Sequence, residues 1–133
     1  MNNKILITGA AGFIGFHISK LMLEENYEIC GVDNINNYYS ISLKNDRLSL
    51  LEKYPNFTFN KVDISNYNQV SKIFKKFQPD IVINLAAQAG VRYSIENPFA
   101  YVESNLIGFV NIIELCRKND SGLSGHFTVG GTN

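Results

Sequence analysis

The feature that most constrains this chain is a change of hydrophobic period, repeated four times. Lys4-Ile-Leu-Ile-Thr8 is a nearly continuous apolar run, which suits a strand buried on both faces. From Phe13 the period becomes helical: Ile14, Ile18, Leu21 and Met22 recur to about Glu25. Glu28-Ile-Cys-Gly-Val32 reads as a second strand ending at Asp33. After a polar loop over 34–40, the pattern predicts a helix over 42–53, with Leu43, Leu48 and Leu51 toward the core, broken by Pro55. Phe57 to Val62 is a third strand, ending at Asp63. Val70, Ile73, Phe74 and Phe77 mark a third helix stopped by Pro79, and Asp80 to Leu85 is a fourth strand. The last helix starts at Asn97-Pro98, a good N-cap followed by a residue favoured at the first helical position, and runs to about Lys118.

Strands that alternate with helices predict a parallel sheet covered on both faces. Right-handed crossovers leave few ways to connect it. The expectation is a doubly wound, Rossmann-type α/β sheet of order 3-2-1-4, cut off after about four strands, with a ligand crevice at the carboxyl ends of strands 1 and 4.

The first strand-to-helix turn, Ile7-Thr-Gly-Ala-Ala-Gly-Phe-Ile-Gly15, places glycines at every third position. A pyrophosphate can rest at a helix N-terminus, where N–H groups and the helix dipole favour anions, if the backbone can come close. Gly9 would permit the tight turn, Gly12 would admit the phosphates, and Gly15 would let the helix pack against the sheet. A turn-forming loop without a ligand is the alternative. Asp33, ending strand two, could accept both hydroxyls of an adenosine ribose and would repel a 2′-phosphate, which favours NAD over NADP; it could equally begin an Asx-turn into Asn34. Asp63 lies where an adenine pocket is expected, but it could instead cap the following helix. Leu85-Ala-Ala-Gln88 leaves room for a flat ring system, or simply for helix–sheet packing.

Charge narrows the classes of function. Twelve basic and twelve acidic residues cancel, which removes the usual electrostatic argument for nucleic acid or an anionic membrane. No apolar run is expected to approach the length of a membrane span. Met1-Asn-Asn-Lys-Ile5 does not read as a signal peptide, because its apolar stretch runs straight into glycines. Cys30 and Cys116, both in apolar surroundings, read as free thiols of a reducing cytoplasm. His17 reads as a packing or surface residue and His126 lies in the tail, so no metal site is expected.

These motifs together resemble the extended short-chain dehydrogenase/reductase superfamily. More closely, VDNINNYYSISLKNDRL (32–48) and LAAQAGVRYSIENPFAYVESNLIG (85–108) resemble NAD-dependent UDP-glucuronate 4-epimerases and related nucleotide-sugar epimerases of polysaccharide biosynthesis. The resemblance covers residues 4–118. It implies a tightly held NAD that takes a hydride from C4 of the sugar and returns it to the other face of a rotated 4-keto intermediate. By position, it implies that Gly9, Gly12, Phe13, Ile14 and Gly15 form the pyrophosphate loop. Asp33, Asn34 and the loop through Asn37 to Tyr38 would contact the adenosine ribose, and Asp63 and Ile64 the adenine. Leu85, Ala86, Ala87 and Gln88 would line the nicotinamide side, and Asn105 would contact the cofactor. Arg92 falls in a substrate-side loop, where it would meet an anionic group of the nucleotide sugar.

Asn105 can also be read from its own helix. Val102, Leu106, Phe109, Ile113 and Cys116 share one face, and Tyr101, Gly108, Ile112 and Leu115 form a second stripe. Asn105 falls between them and is expected to be buried or half-buried, its amide served by a cofactor or by a backbone group. Two apolar stripes suggest packing beyond the helix's own sheet, and the resemblance implies a homodimer through it.

The chain departs from the family pattern in two respects, a missing catalytic pair and an atypical end. Family chemistry needs a Tyr-x-x-x-Lys pair, and none of the seven tyrosines is followed four positions later by lysine. No catalytic residue is therefore assigned. The expected organisation is a partial NAD-binding domain over 1–119 and an atypical tail over 120–133, foreign, frameshifted or forming a short fifth strand from His126. The chain then reads as the NAD-binding part of a UDP-sugar epimerase, inactive by itself. The alternatives are a stand-alone dinucleotide-binding or sensor module and a fragment of a sugar-nucleotide 4,6-dehydratase. Strand four would be an exposed edge, to be covered by self-association or by the tail.

Overall fold

A computed structural model describes residues 3–37, 40–88, 91–119 and 126–128. Strands β1 (Lys4–Thr8), β2 (Glu28–Asp33), β3 (Phe57–Lys61), β4 (Ile81–Asn84) and β5 (His126–Thr128) form one parallel sheet of order β3-β2-β1-β4-β5. The predicted 3-2-1-4 order is therefore present, with one strand more. β5 pairs with β4 from Val82↔His126 to Asn84↔Thr128, so β4 is not an edge. Helices α1 (Phe13–Glu24), α2 (Ile41–Leu51) and α3 (Tyr67–Phe77) connect the first four strands. After β4 come a short α4 (Val91–Glu96), then α5 (Pro98–Tyr101), a π-helical segment (Val102–Gly108) and α6 (Phe109–Lys118), the last three forming one helical stretch.

Alternation along β1 divides the core into two layers. Leu6 points to one face, where Val32 and Val82 meet α3 (Val70, Ile73, Phe74) and α6 (Ile112, Leu115). Ile5 and Ile7 point to the other, where Ile29 meets Leu23 of α1 and Leu48 and Leu51 of α2. Burying each such aliphatic side chain contributes about 1.5–3 kcal/mol. The α3 face is as expected: Val70, Ile73, Phe74 and Phe77 are all buried. Asn66, not Asp63, caps that helix, its side chain accepting from the Gln69 N–H at 3.2 Å.

Three helical faces differ from the expectation. On α1, Gly15, Ser19 and Leu23 are buried, Ile18 and Met22 pack at the margin, and Ile14 and Leu21 are exposed. The cause is close docking at Gly15, where a Cβ would stand 2.0 Å from the Gly9 carbonyl oxygen; small residues have to face the sheet. On α2, Leu43 is exposed and Lys44 is buried, because the inward positions are 44, 48 and 51. In 98–118, the π-helical hydrogen bonds reach one residue further back and break the 100° step assumed in the sequence. Gly108, Ile112, Leu115 and Cys116 face inward, while Val102, Leu106, Val110 and Ile113 are exposed. This 21-residue stretch, with an 18-residue window of mean hydropathy 1.3, is also long and apolar enough to cross a membrane by length and composition alone. That corrects the expectation that no segment would be, although its α6 face packs on the sheet.

Candidate functional site

The carboxyl ends of β1, β2, β3 and β4 open onto one crevice. Its first wall is the glycine turn. Gly9 has φ +70°, and its N–H donates to the Val32 carbonyl at 2.8 Å. A Cβ there would lie 2.9 Å from the Ala86 nitrogen, so the position needs glycine for both conformation and space. Gly12 differs: its φ of −73° suits any residue, and a Cβ would meet within the protein only the Gly9 oxygen, at 3.2 Å. What Gly12 keeps clear is the crevice side. It is also the N-cap of α1, without a side-chain cap and with no acidic residue in the first turn. The first-turn N–H groups have no intrahelical acceptor, which favours an anion in front of them. Phe13 and Ile14 are exposed beside this turn, and Gly15 lies beneath it.

Asp33 forms the second wall. It is buried, and both its oxygens already work: Oδ2 accepts from the Ala11 N–H at 3.1 Å and Oδ1 from the Ile35 N–H at 2.8 Å. The Asx-turn reading is thus correct. It does not exhaust the carboxylate, which has about four lone-pair positions. Asn34 follows, its Oδ1 accepting from the Asn36 N–H at 3.1 Å. Asn37 is exposed outside the lining, and Tyr38 lies outside the described residues. Lys44 was missed by the sequence reading. Its buried ammonium lines the crevice and donates to the Asn36 carbonyl at 3.1 Å and to Asn36 Oδ1 at 2.9 Å. Its signal was helical spacing with Leu48 and Leu51, masked by the more apolar Leu43.

Asp63 and Ile64 close the far side. Asp63 Oδ1 accepts from the Ser65 N–H (2.9 Å) and hydroxyl (2.7 Å), a local turn. The floor is Leu85, Ala86, Ala87 and Gln88. Thr8 holds it: the buried hydroxyl donates to Asn84 Oδ1 and accepts from the Leu85 and Ala86 N–H groups, each at 3.1 Å. Asn105 is exposed rather than half-buried, because the π-helical turn carries it outward. Its amide is nonetheless served: Oδ1 accepts from the Gln88 N–H at 2.7 Å, and Nδ2 donates to the Gln88 carbonyl at 3.0 Å. Its neighbour Ser104, not foreseen, lines the crevice instead. Arg92 lies on α4 rather than in a loop, outside the lining, with its side chain 94% exposed and 3.6 Å from Glu96.

The crevice thus presents backbone N–H groups, a buried carboxylate, a buried ammonium and a floor of small side chains. That donor and acceptor set fits a nucleoside diphosphate lying across the strand ends. The thiols are poor nucleophiles: burial pushes Cys30 up and Cys116 up to about 11. Among the described residues no group of three His, Cys, Asp or Glu could hold a metal.

Fold and site together define a Rossmann domain of the short-chain dehydrogenase/reductase type. Residues 6–132 match the family described as GDP-mannose 4,6 dehydratase, and the chain belongs to it. Among its relatives, Protein CapI of Staphylococcus aureus is 59% identical over 114 residues, 86% of this chain and 34% of the relative. The UDP-glucuronate 4-epimerase of Thermodesulfobacterium geofontis is 46% identical over 112 residues, 84% of this chain and 35% of that protein. The crystal structure of the Bacillus cereus UDP-glucuronic acid 4-epimerase in complex with UDP-glucuronic acid and NAD is similar at a TM-score of 0.83 and 33% identity, covering 94% of this chain and 39% of that one. The chain therefore spans between about a third and two fifths of each of these three proteins.

Proposed function

We propose that this chain is the NAD-binding portion of a nucleotide-sugar epimerase that inverts C4 of a UDP-sugar, UDP-glucuronate in the first place. The observation that carries the reading is the crevice at Gly12. A cap position with ordinary backbone angles and almost no internal obstacle to a side chain is glycine, beside a buried Asp33 carboxylate. The likeness to UDP-glucuronate 4-epimerases supports the choice of substrate class. Bound NAD would supply a hydride acceptor for the sugar. This chain's own residues do the holding: the α1 N-terminus faces the phosphates, Asp33 accepts from the ribose hydroxyls, and Ala86 and Ala87 leave space for a planar ring. The same carboxylate disfavours a 2′-phosphate, so NAD is preferred to NADP. Calorimetric titration of the chain with NAD and NADP tests this; saturable binding of NAD, at least tenfold tighter than NADP, is expected, and no binding of either overturns the reading.

With no Tyr-x-x-x-Lys pair in its sequence, the chain alone is expected not to epimerise UDP-glucuronate in the presence of NAD. Substantial epimer formation refutes that. We further propose a homodimer through the exposed stripe of Val102, Leu106, Val110 and Ile113, and a cytoplasmic location, where free Cys30 and Cys116 stay reduced. Sedimentation as a clean monomer at high concentration contradicts the dimer.

A further inference from the structure

We infer that Arg47 is a positioning residue for the glycine turn, holding the loop in the shape that leaves the α1 N-terminus open to phosphate; the inference rests on the reading of the crevice given above. Arg47 lies on α2, outside the crevice lining, yet it touches both residues that flank Gly12. Its Nη1 donates to the Ala11 carbonyl at 3.1 Å, and its guanidinium carbon stands 5.9 Å from the centre of the Phe13 ring. The Ala11 N–H is held by Asp33 Oδ2 at 3.1 Å. Both polar atoms of this fully buried residue are therefore fixed by charged side chains, the N–H by a carboxylate from β2 and the carbonyl by a guanidinium from α2.

That arrangement has a directional consequence. With the Ala11 carbonyl drawn to Arg47, it is kept off the anion path in front of α1, where a carbonyl oxygen would repel phosphate. Without Arg47, the Ala11 peptide keeps one anchor, and the carbonyl can turn toward any donor or water. Arg47 makes no ion pair within 4.0 Å among the described residues, and its charge adds to the favourable potential of the turn. A lysine cannot fully replace it, since an ammonium lacks the planar fork that bonds a carbonyl while lying against a ring.

The test compares the parent chain with Arg47→Met, which keeps an apolar stem beside Phe13 and removes the donors, and with Arg47→Lys, which keeps the charge. Each is titrated with NAD, which carries a pyrophosphate, and with adenosine, which carries none, by NMR of the 15N-labelled chain. Loss of a charge-assisted hydrogen bond predicts NAD affinity about tenfold weaker in Arg47→Met and less weakened in Arg47→Lys, with adenosine affinity unchanged in both. Amide exchange at Ala11 and Gly12 without ligand is expected to quicken in Arg47→Met. NAD affinity within twofold of the parent overturns the inference. A parallel loss for NAD and adenosine also overturns it, because it makes Arg47 a general prop of the fold. If Arg47→Met does not fold, Arg47→Gln, which removes the charge and keeps a polar stem, is read by the same twofold criterion. Should the parent bind neither ligand, the functional reading falls; unchanged amide exchange then rejects the clamp, and faster exchange upholds it.

Discussion

Replacing Thr8 by valine tests how the crevice floor is held. The substitution is nearly isosteric and removes one hydroxyl from a site with no solvent access. That hydroxyl serves three groups: Asn84 Oδ1, to which it donates, and the Leu85 and Ala86 N–H groups, from which it accepts. The Leu85 N–H keeps a second acceptor, the Thr8 carbonyl at 3.2 Å. The Asn84 oxygen and the Ala86 N–H lose their partner. Each polar group stranded in the interior costs about 1–3 kcal/mol, and the added methyl returns about 0.8 kcal/mol. The net expectation is a loss on the order of 3 kcal/mol, a large part of the roughly 5–15 kcal/mol typical of a domain. Thr8→Ser keeps the hydroxyl and loses one methyl, so it should cost only about 1 kcal/mol. Urea unfolding followed by circular dichroism measures both. Equal losses in the two variants, or less than 1 kcal/mol for valine, would refute the argument that the hydroxyl rather than packing fixes the floor.

Gly15→Ala should be strongly destabilising, by several kcal/mol, since the new Cβ would stand 2.0 Å from the Gly9 oxygen; a thermal midpoint within a few degrees of the parent contradicts this. Asn105→Leu removes both bonds to the Gln88 backbone, and amide exchange at Gln88 should quicken at least tenfold while the sheet amides stay protected; equal protection would mean that the amide pair is incidental. Burial raises Cys116 to about 11, so in the alkaline range the unfolded chain releases this proton before the folded one. Stability from this group is complete below about pH 9 and falls as pH rises from 9 toward 11, and Cys116→Ala should flatten that decline in urea midpoints relative to the parent.

Much of this architecture is legible in the sequence, because short-range physics and the final packing agree there. The apolar run of β1, the 70-73-74-77 stripe of α3 and the Asn97-Pro98 helix start each have one reading. The misreadings come where tertiary contact outweighs hydrophobicity. Leu43 loses its place to Lys44 because the α2 register is set by Leu48 and Leu51, and because Asn36 can satisfy a buried ammonium. Ile14 and Leu21 lose theirs because the Gly9–Gly15 approach turns small residues of α1 toward the sheet. The π-helical segment is invisible to a 100° projection, and with it the outward place of Asn105. Arg47 and Thr8 have signals in three dimensions only, since each acts on backbone atoms far away in sequence.

Gly12→Val gives the most direct test of the central claim, which is that a dinucleotide rests against the start of α1 because no side chain stands in its way. The structure predicts that the fold tolerates the change, with ordinary backbone angles and one internal contact at 3.2 Å. Calorimetric titration of parent and variant with NAD should therefore give saturable binding for the first and at least a hundredfold loss for the second, with the circular dichroism spectrum unchanged. A folded Gly12→Val chain that binds NAD as the parent does would contradict the account.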